Sequence, residues 1–258
     1  MGSRTALITG ASAGLGKEFA RQLAARGVDL VLVARRREAL EALATELRAT
    51  HGVGTEVLVA DMSSPDAPLQ LHRDVQGLGL DIDYLVNNAG SEGPDLIRER
   101  DWQRHDAYLR LMMTSVAAMC HEFIPAMAER GFGRVLNVAS VAGRMTVGGD
   151  YSYGPTKAYL IALSKALASA FKPRGVHVMA LCPGFTHTEF HASDKLTAMK
   201  QATPSFIWYD ADVVVREGLA ALEKGKDEYT SGRLYRFLVP ILRQRWSRRL
   251  LTMLGVRL

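Results

Sequence analysis

Three residues in the middle of the chain are of the types that carry acid–base chemistry: Ser140, Tyr153 and Lys157. Tyr153 and Lys157 are four residues apart, so a helix that begins near Tyr153 places both side chains on one face. An ammonium beside a phenol favours the phenolate, so we expect Lys157 to lower the pKa of Tyr153 towards the neutral range. Such a phenol exchanges protons readily, and the Ser140 hydroxyl could hydrogen-bond the oxygen of a reacting molecule.

On their own, a tyrosine and a lysine at this spacing also fit the half-exposed face of an ordinary helix. The elements around them therefore decide the interpretation. Apolar runs and helical patterns alternate along the 258 residues at the spacing of β–α–β units. This order predicts a single α/β domain over residues 1–258, a Rossmann-type doubly wound parallel sheet with helices on both faces. We expect strands at about 4–9, 29–34, 55–60, 82–86, 134–139, 176–181 and 229–232, and helices at about 14–25, 38–50, 101–130, 151–171 and 210–224.

Ligands of doubly wound sheets bind beyond the carboxyl ends of the strands, and this chain has a glycine-rich loop there. Gly10, Gly14 and Gly16 follow the first expected strand and precede a helix. Glycines allow the backbone to approach a pyrophosphate closely, and a helix N-terminus favours its negative charge. The spacing differs from the commoner G-x-G-x-x-G, but it meets the same physical need. The loop therefore predicts a dinucleotide site.

A run of three arginines that begins at Arg35 follows the second expected strand. A carboxylate at this point would accept the ribose hydroxyls of NAD, whereas positive charge matches the 2′-phosphate of NADP. We therefore predict NADP(H) in preference to NAD(H), with Arg35 as the contact, unless these arginines only open the next helix. Other candidates also follow expected strands: Asp61, Asn88, Ser140 and Pro183-Gly184. Their convergence supports one site at this edge of the sheet.

The sequence resembles the short-chain dehydrogenase/reductase family over about residues 4–190, because these motifs occur in the order and at the spacing of that family. The resemblance rests on the glycine loop Thr9–Gly16, the segment Asn87–Gly90, Ser140, Tyr153-x-x-x-Lys157 and Pro183-Gly184. It implies NAD(P)(H)-dependent interconversion of a carbonyl and a secondary alcohol. It also implies that Tyr153 is the acid/base, that Lys157 holds the nicotinamide ribose and tunes the tyrosine, and that Ser140 positions the substrate oxygen.

The resemblance further implies which residues bind the cofactor. Asp61 would meet the adenine, while the Pro183-Gly184 loop and Thr188 would meet the nicotinamide amide. The full set expected to bind the cofactor is Gly10, Ser12, Gly14, Leu15, Gly16, Arg35, Asp61, Met62, Asn88, Ala89, Gly90, Tyr153, Lys157, Pro183, Gly184 and Thr188.

One residue departs from the family pattern. Met112 stands thirteen residues before Pro125, where the family usually has an asparagine that is thought to bind a water linking the lysine to solvent. Methionine lacks the hydrogen bonds of an amide. Thr114 or Ser115 could substitute through a shifted water, or Met112 could be a packing residue. The departure leaves an alternative function open, a non-catalytic NADP(H)-binding regulator or scaffold.

Apolar residues near the expected site predict a hydrophobic substrate such as a 3-oxoacyl, steroid-like or aromatic ketone. They lie between Ser140 and Tyr153 and in an expected lid at about 187–210, and they are Met145, Val147, Leu196, Met199, Phe206, Ile207 and Trp208. Each could instead pack the lid on the body of the domain. His187 and His191 are four residues apart, but no third ligand is apparent, so no metal site is expected.

The C-terminal part of the chain is strongly basic. All 27 acidic residues lie at or before Glu228, and seven arginines with no acid follow Tyr229. An amphipathic helix is expected at about 236–255, with Leu242, Trp246 and neighbours on its apolar stripe. Such a helix could contact an anionic membrane peripherally, or dock on its own domain or on a second subunit. This tail loosely resembles that of reductases in the long-chain 3-oxoacyl-thioester and steroid branch of the family, which favours a lipophilic carbonyl.

The composition also predicts the redox state of the cysteines and the cellular location of the protein. Cys120 and Cys182 stand in apolar surroundings, which predicts reduced thiols in the core. We expect no membrane-spanning helix, because no run of about 18 apolar residues occurs, and no signal peptide, because the first strand begins too early. We expect a cytoplasmic protein that binds small carbonyls or alcohols and no nucleic acid. In the family, the long helix and the tyrosine helix often form a subunit interface, which implies a homodimer or homotetramer.

Overall fold

The computed structural model describes residues 3–145, 149–188 and 203–242. In this part of the chain the strands are β1 Thr5–Thr9, β2 Asp29–Ala34, β3 Thr55–Val59, β4 Tyr84–Asn87, β5 Gly133–Val138, β6 Val176–Cys182, β7 Thr186–His187, β8 Tyr209–Asp210 and β9 Glu228–Thr230. Seven of them form one parallel sheet in the order β3-β2-β1-β4-β5-β6-β9. The order turns back at β1 and β4, which creates the crevice where ligands of such folds bind. The predicted doubly wound α/β fold is confirmed.

Helices cover both faces of this sheet. They are α1 Gly14–Ala24, α2 Arg37–His51, α3 Ala67–Gly77, α4 Trp102–Leu109, α5 Ser115–Glu129, α6 Tyr153–Phe171, α7 Ala211–Glu223 and α8 Arg233–Leu242. Alternate residues of each strand point to opposite layers: Ile8 joins a core with α1, α2 and α7, while Leu7 joins a core with α3, α5 and α6. Because both faces are buried, the strands are continuous apolar runs rather than alternating ones.

The helix predicted over 101–130 is interrupted. Asp101 caps α4 by accepting from the Gln103 N–H at 2.9 Å, and a π-helical segment, Arg110–Thr114, separates α4 from α5. By length and composition alone, 102–129 is apolar enough to cross a membrane, but half of its most apolar window is buried inside the protein, as in a core helix.

Other elements also differ from the expectation: the short strands β7 and β8 were not predicted, and they pair in a separate parallel sheet. The helix α3 was not predicted, and α8 begins at Arg233, three residues before the expected start, and is described as far as Leu242. Two expected lid residues, Leu196 and Met199, lie outside the described residues, as do the expected pocket residue Val147 and most of the predicted C-terminal helix.

Candidate active site

Ser140 lies just beyond β5, at the start of a short 3₁₀ turn, Val141–Arg144. Its hydroxyl oxygen accepts from the Ala142 N–H at 3.1 Å, and the Val141 N–H donates to the Pro183 carbonyl at 3.0 Å. The turn packs closely on α6, because a Cβ at Gly143 would lie 2.5 Å from the Lys157 carbonyl carbon. The ends of β5 and β6 and the first turns of α6 therefore meet at one place.

The structure brings the three candidate catalytic residues together there. Tyr153 begins α6, and its hydroxyl is hydrogen-bonded to that of Ser140. The Lys157 Nζ lies 5.6 Å from the centre of the Tyr153 ring and donates to the Val138 carbonyl at 2.7 Å. Lys157 is buried, whereas Tyr153 keeps part of its surface exposed. A molecule in the crevice can thus reach the phenol while the amine stays fixed behind it.

The protonation of this pair differs from the expectation. Burial raises the pKa of Tyr153 to about 12, although the hydrogen bond with Ser140 acts in the opposite direction. Burial also lowers the pKa of Lys157 to about 8. The predicted lowering of the tyrosine pKa by the lysine was wrong here, because desolvation of the phenolate outweighs the other influences. At pH 7 Tyr153 therefore carries its proton and Lys157 is mostly charged.

The glycine loop forms a cradle of bare backbone. Gly10 and Gly14 have φ values of +68° and +52°, which favour glycine, and a Cβ at Gly16 would lie 2.2 Å from the Gly10 carbonyl oxygen. The Asn88 amide donates to the carbonyls of Thr9 at 3.0 Å and Gly10 at 3.3 Å and so holds the loop to β4. Within the described residues no side chain caps the N-terminus of α1. This cradle fits a pyrophosphate on chemical grounds.

Several other expected cofactor residues border this cradle or its end of the sheet. A Cβ at Gly14 would lie 3.2 Å from the Thr188 Cβ, so the loop after β6 reaches the glycine loop. Ala89 donates its N–H to the Thr9 hydroxyl oxygen at 3.1 Å. Leu15 packs half-buried against the core, while Met62 is buried in the core on the opposite face of the sheet.

A different arginine from the predicted one contacts the glycine loop. The Arg36 guanidinium lies 3.3 Å from both the carbonyl oxygen and the hydroxyl of Ser12, to which it donates. Arg35 is exposed and its Nη1 is 4.0 Å from the Asp61 carboxylate. Burial acts to raise the pKa of Asp61, but hydrogen bonds from Ser63 and the charge of Arg35 lower it. The sequence alone could not single out Arg36, since the arginine run offers three chemically equivalent candidates.

A buried polar network lies behind the candidate site, and it was not predicted from the sequence. The Asn87 amide donates to Asn137 at 2.8 Å, and Asn137 donates to the Ser164 hydroxyl at 2.9 Å. This chain of hydrogen bonds joins β4, β5 and α6 under the turn that carries Ser140. Its sequence signal was a lone asparagine, Asn137, inside an otherwise apolar strand, since buried polar groups need partners.

Met112 lies in the π-helical segment and is 1% exposed. Its sulfur packs on Gly90, because a Cβ at that glycine would lie 3.3 Å from it. Of the two residues that could replace the family asparagine, Ser115 donates its hydroxyl to the Leu111 carbonyl at 2.8 Å, and Thr114 is exposed. The contacts of Met112 are those of a packing residue.

The described part of the expected lid packs against the loop after β6. Trp208 is buried and its ring stacks on those of Phe185 and His187 at 5.0 and 5.3 Å, whereas Phe206 is 71% exposed. Tyr235 of α8 covers Gly184, where a Cβ would lie 2.0 Å from its ring. Its hydroxyl accepts from the Phe185 N–H and donates to the Ile207 carbonyl. Tyr235 thus ties α8 to the candidate site, a role that no sequence pattern indicated.

Met145, which was expected to line the substrate pocket, lies among the described residues. Met145 follows the 3₁₀ turn, is half-buried and donates its N–H to the Ala142 carbonyl at 3.3 Å. His191, the partner of His187 in the rejected metal pair, lies outside the described residues.

Comparison with known proteins places this architecture among characterised relatives. The family model for short chain dehydrogenase matches residues 4–198. A 7beta-hydroxysteroid dehydrogenase from Collinsella aerofaciens is 33% identical over 182 residues, which cover 70% of this chain and 68% of that protein. The bulky-bulky ketone specific alcohol dehydrogenase from Comamonas testosteroni has a TM-score of 0.77 at 26% identity, with 99% of this chain and 94% of that chain covered. A short-chain dehydrogenase from Sphingobium yanoikuyae in complex with NADPH has a TM-score of 0.77 at 28% identity, with 97% and 95% covered.

Proposed function

The chain belongs to the short-chain dehydrogenase family, as an oxidoreductase of carbonyls and alcohols, and we propose that it is an NADP(H)-dependent reductase of bulky hydrophobic ketones. The observation that carries the proposal is the hydrogen-bonded grouping of Ser140 and Tyr153, with Lys157 behind them, at the strand ends beside the glycine cradle. A protein that only bound a nucleotide would have no need of all three groups. This argues against the alternative of a regulator or scaffold.

The proposed chemistry follows from the protonation of the site. A bound nicotinamide cofactor would supply the hydride. Tyr153 carries its proton at neutral pH, since its pKa is about 12, so it can donate that proton to the oxygen of a carbonyl that is being reduced. The Ser140 hydroxyl, already paired with Tyr153, would hydrogen-bond the same oxygen. The mostly charged Lys157 would stabilise the tyrosinate that remains.

NADP(H) is proposed over NAD(H) because two arginines stand at the end of β2. Arg36 is fixed to Ser12 and Arg35 lies near Asp61, so positive charge flanks the place where a 2′-phosphate would lie. The relative from Sphingobium yanoikuyae was solved with NADPH, which agrees with this choice. The residues that would hold the cofactor are those given from the resemblance, with Arg36 added.

A bulky hydrophobic ketone or the matching secondary alcohol is the proposed substrate. Relatives whose names specify a hydroxysteroid and bulky-bulky ketones support this class. Phe206, which is 71% exposed, gives an apolar surface to the expected lid, the segment beyond Thr188 in which the family varies. The 3-oxoacyl thioesters remain the second substrate class to test.

Two interactions of the whole protein are also proposed. The outer face of α5 and α6 carries a groove of about 220 Å³, lined by residues that include Cys120, Ile124, Leu163 and Phe171, which suits a homodimer or a homotetramer. The arginine-rich tail would hold the protein peripherally at an anionic membrane from the cytoplasm, because seven arginines without an acid follow Tyr229.

The direct test is NADPH oxidation with a panel of aromatic ketones, steroid ketones and 3-oxoacyl thioesters, with NADH as the comparison. Tyr153→Phe should abolish turnover and leave NADPH binding, measured by its fluorescence, nearly intact. Tyr151→Phe is a matched control, because Tyr151 is 51% exposed and lies two residues away. Tight NADPH binding without turnover on any carbonyl would transfer support to the regulator. Normal turnover by Tyr153→Phe would refute the assignment of the acid.

A further inference from the structure

A nearly buried carboxylate joins the turn after Ser140 to the helix that carries Tyr153. The Glu228 side chain, on β9, is 10% exposed. One of its oxygens lies 3.0 Å from the Arg144 Nε and the other 2.5 Å from the Lys165 Nζ. Arg144 also donates to the Thr230 hydroxyl at 2.7 Å. Arg144 ends the 3₁₀ turn, and Lys165 lies on α6 two turns after Lys157.

The cluster holds the far end of the turn, while a backbone bond holds the near end. At the near end, the Val141 N–H donates to the Pro183 carbonyl. At the far end, the Arg144 side chain is 19% exposed, so its charge is stable there only beside a counter-charge. Between the ends, Gly143 rests on the backbone of α6. A shift of the turn would therefore break the ion pair or the contact with α6.

We propose that Glu228 is a positioning residue that fixes the turn after Ser140 against α6, so that Ser140 and Tyr153 stay in hydrogen-bonding reach. This inference rests on the proposed function, in which both hydroxyls act on one substrate oxygen. Displacing a reacting group by about 1 Å can slow an enzyme about 100-fold, so the position of a single turn matters for turnover. Glu228 itself touches no reacting atom and acts through Arg144 and Lys165.

The chain contains a matched ion pair that lacks this role. Glu223 lies 2.9 Å from the Arg134 Nε and accepts from the Tyr84 hydroxyl at 2.8 Å. The Arg134 and Glu223 side chains are 12% and 36% exposed, so this pair is partly buried. Arg134 and Tyr84 stand at the beginning of β5 and β4, whereas Ser140 lies beyond the end of β5. Loss of this pair should weaken the fold without moving the turn.

The experiment compares Glu228→Gln with Glu223→Gln in the full chain. Glu228→Gln should lower kcat by about 10- to 100-fold, with NADPH affinity unchanged. It should also speed amide hydrogen exchange over residues 141–145, where the Val141 and Gly143 N–H groups are bonded. Both variants should lower the Tm by a similar amount. Glu223→Gln, however, should leave kcat and the exchange over residues 141–145 as in the wild type. Equal effects of the two variants on kcat and exchange would overturn the proposal.

A double variant separates positioning from stability. Arg144→Met/Glu228→Leu replaces the ion pair by apolar groups of similar size, which is often neutral or stabilising, and Lys165 is exposed enough to stay solvated. The Tm should recover while kcat stays low, because apolar packing does not fix the turn as the ion pair does. Recovery of both would show that the pair serves only stability. If Tyr153→Phe turns over normally while exchange still responds to Glu228→Gln, the proposed function fails and the hold of Glu228 on the turn remains.

Discussion

Lys157 should give this protein a stability that rises with pH, and one substitution should remove that rise. The residue is 5% exposed, and burial lowers its pKa from 10.5 to about 8. The unfolded chain thus keeps this proton up to about pH 10.5, whereas the folded chain keeps it only up to about pH 8. Folding at neutral pH must bury a charge or expel a proton, and either one destabilises the folded state.

The sign and size follow from linkage. Because the pKa of Lys157 is lowered in the folded state, Lys157 does not destabilise the fold above about pH 10.5. Its penalty grows as the pH falls and is complete below about pH 8. At pH 7 the penalty on the wild type is about 3 kcal/mol, and by pH 9.5 it has fallen by about 2 kcal/mol. Lys157→Met keeps the length of the side chain and removes this penalty. It also removes the bond from Nζ to the Val138 carbonyl, which stabilises by about 1 kcal/mol at any of these pH values.

Lys157→Met should therefore be inactive yet more stable than the wild type by about 2 kcal/mol at pH 7, with the difference close to zero at pH 9.5. Urea unfolding at equal protein concentration over this pH range measures it. Other groups titrate alike in both proteins and cancel in the difference. Lys224→Met is the control, because it removes an exposed ammonium group instead of a buried one. A constant loss of stability in Lys157→Met at every pH would refute the reasoning.

Two further outcomes test the cradle and the tail. Gly16→Ala should weaken NADPH binding by at least about tenfold in a fluorescence titration, because its Cβ would lie 2.2 Å from the Gly10 carbonyl oxygen. Gly77→Ala, whose Cβ would meet nothing within 4 Å, should leave binding unchanged, and equal affinities would contradict the cradle. Truncation after Leu242 removes five of the seven tail arginines and should abolish sedimentation with anionic vesicles while neutral vesicles bind neither form. Retained sedimentation would exclude the tail as the membrane contact.

The fold could be predicted because its strands are buried on both faces. Such strands appear as apolar runs, and the glycine loop and the residues after each run mark the carboxyl edge where the candidate site lies. The helix α3 was missed because only Pro68, Leu71 and Val75 of it are buried, which is too few for a clear helical period. The π-helical segment was missed because it depends on how the helix meets its neighbours and not on a breaking residue.

The chemistry of the site was less predictable, because it depends on burial. The tyrosine and the lysine could be paired by their spacing, but the pKa of Tyr153 follows from the packing around the phenol, and that packing raises it. Arg35 and Arg36 are adjacent and chemically identical in the sequence, and only the backbone path decides that Arg36 reaches Ser12. Glu228 is separated from Arg144 by more than eighty residues, so only the finished sheet brings the two together.

Met112 departs from the family pattern, and its contacts are those of a residue that packs the helix. A π-helical segment widens one turn of the helix, and such segments often lie at functional sites. Here the residues of the helix make the contacts themselves: Met112 packs its sulfur on Gly90, and the Ser115 hydroxyl donates to the Leu111 carbonyl. The acid–base groups do not depend on these contacts, since Tyr153 is bonded to Ser140 and Lys157 to Val138. Met112 therefore packs the helix on the segment Asn87–Gly90, and its contacts are separate from the hydrogen bond between Ser140 and Tyr153, the proposed proton donor.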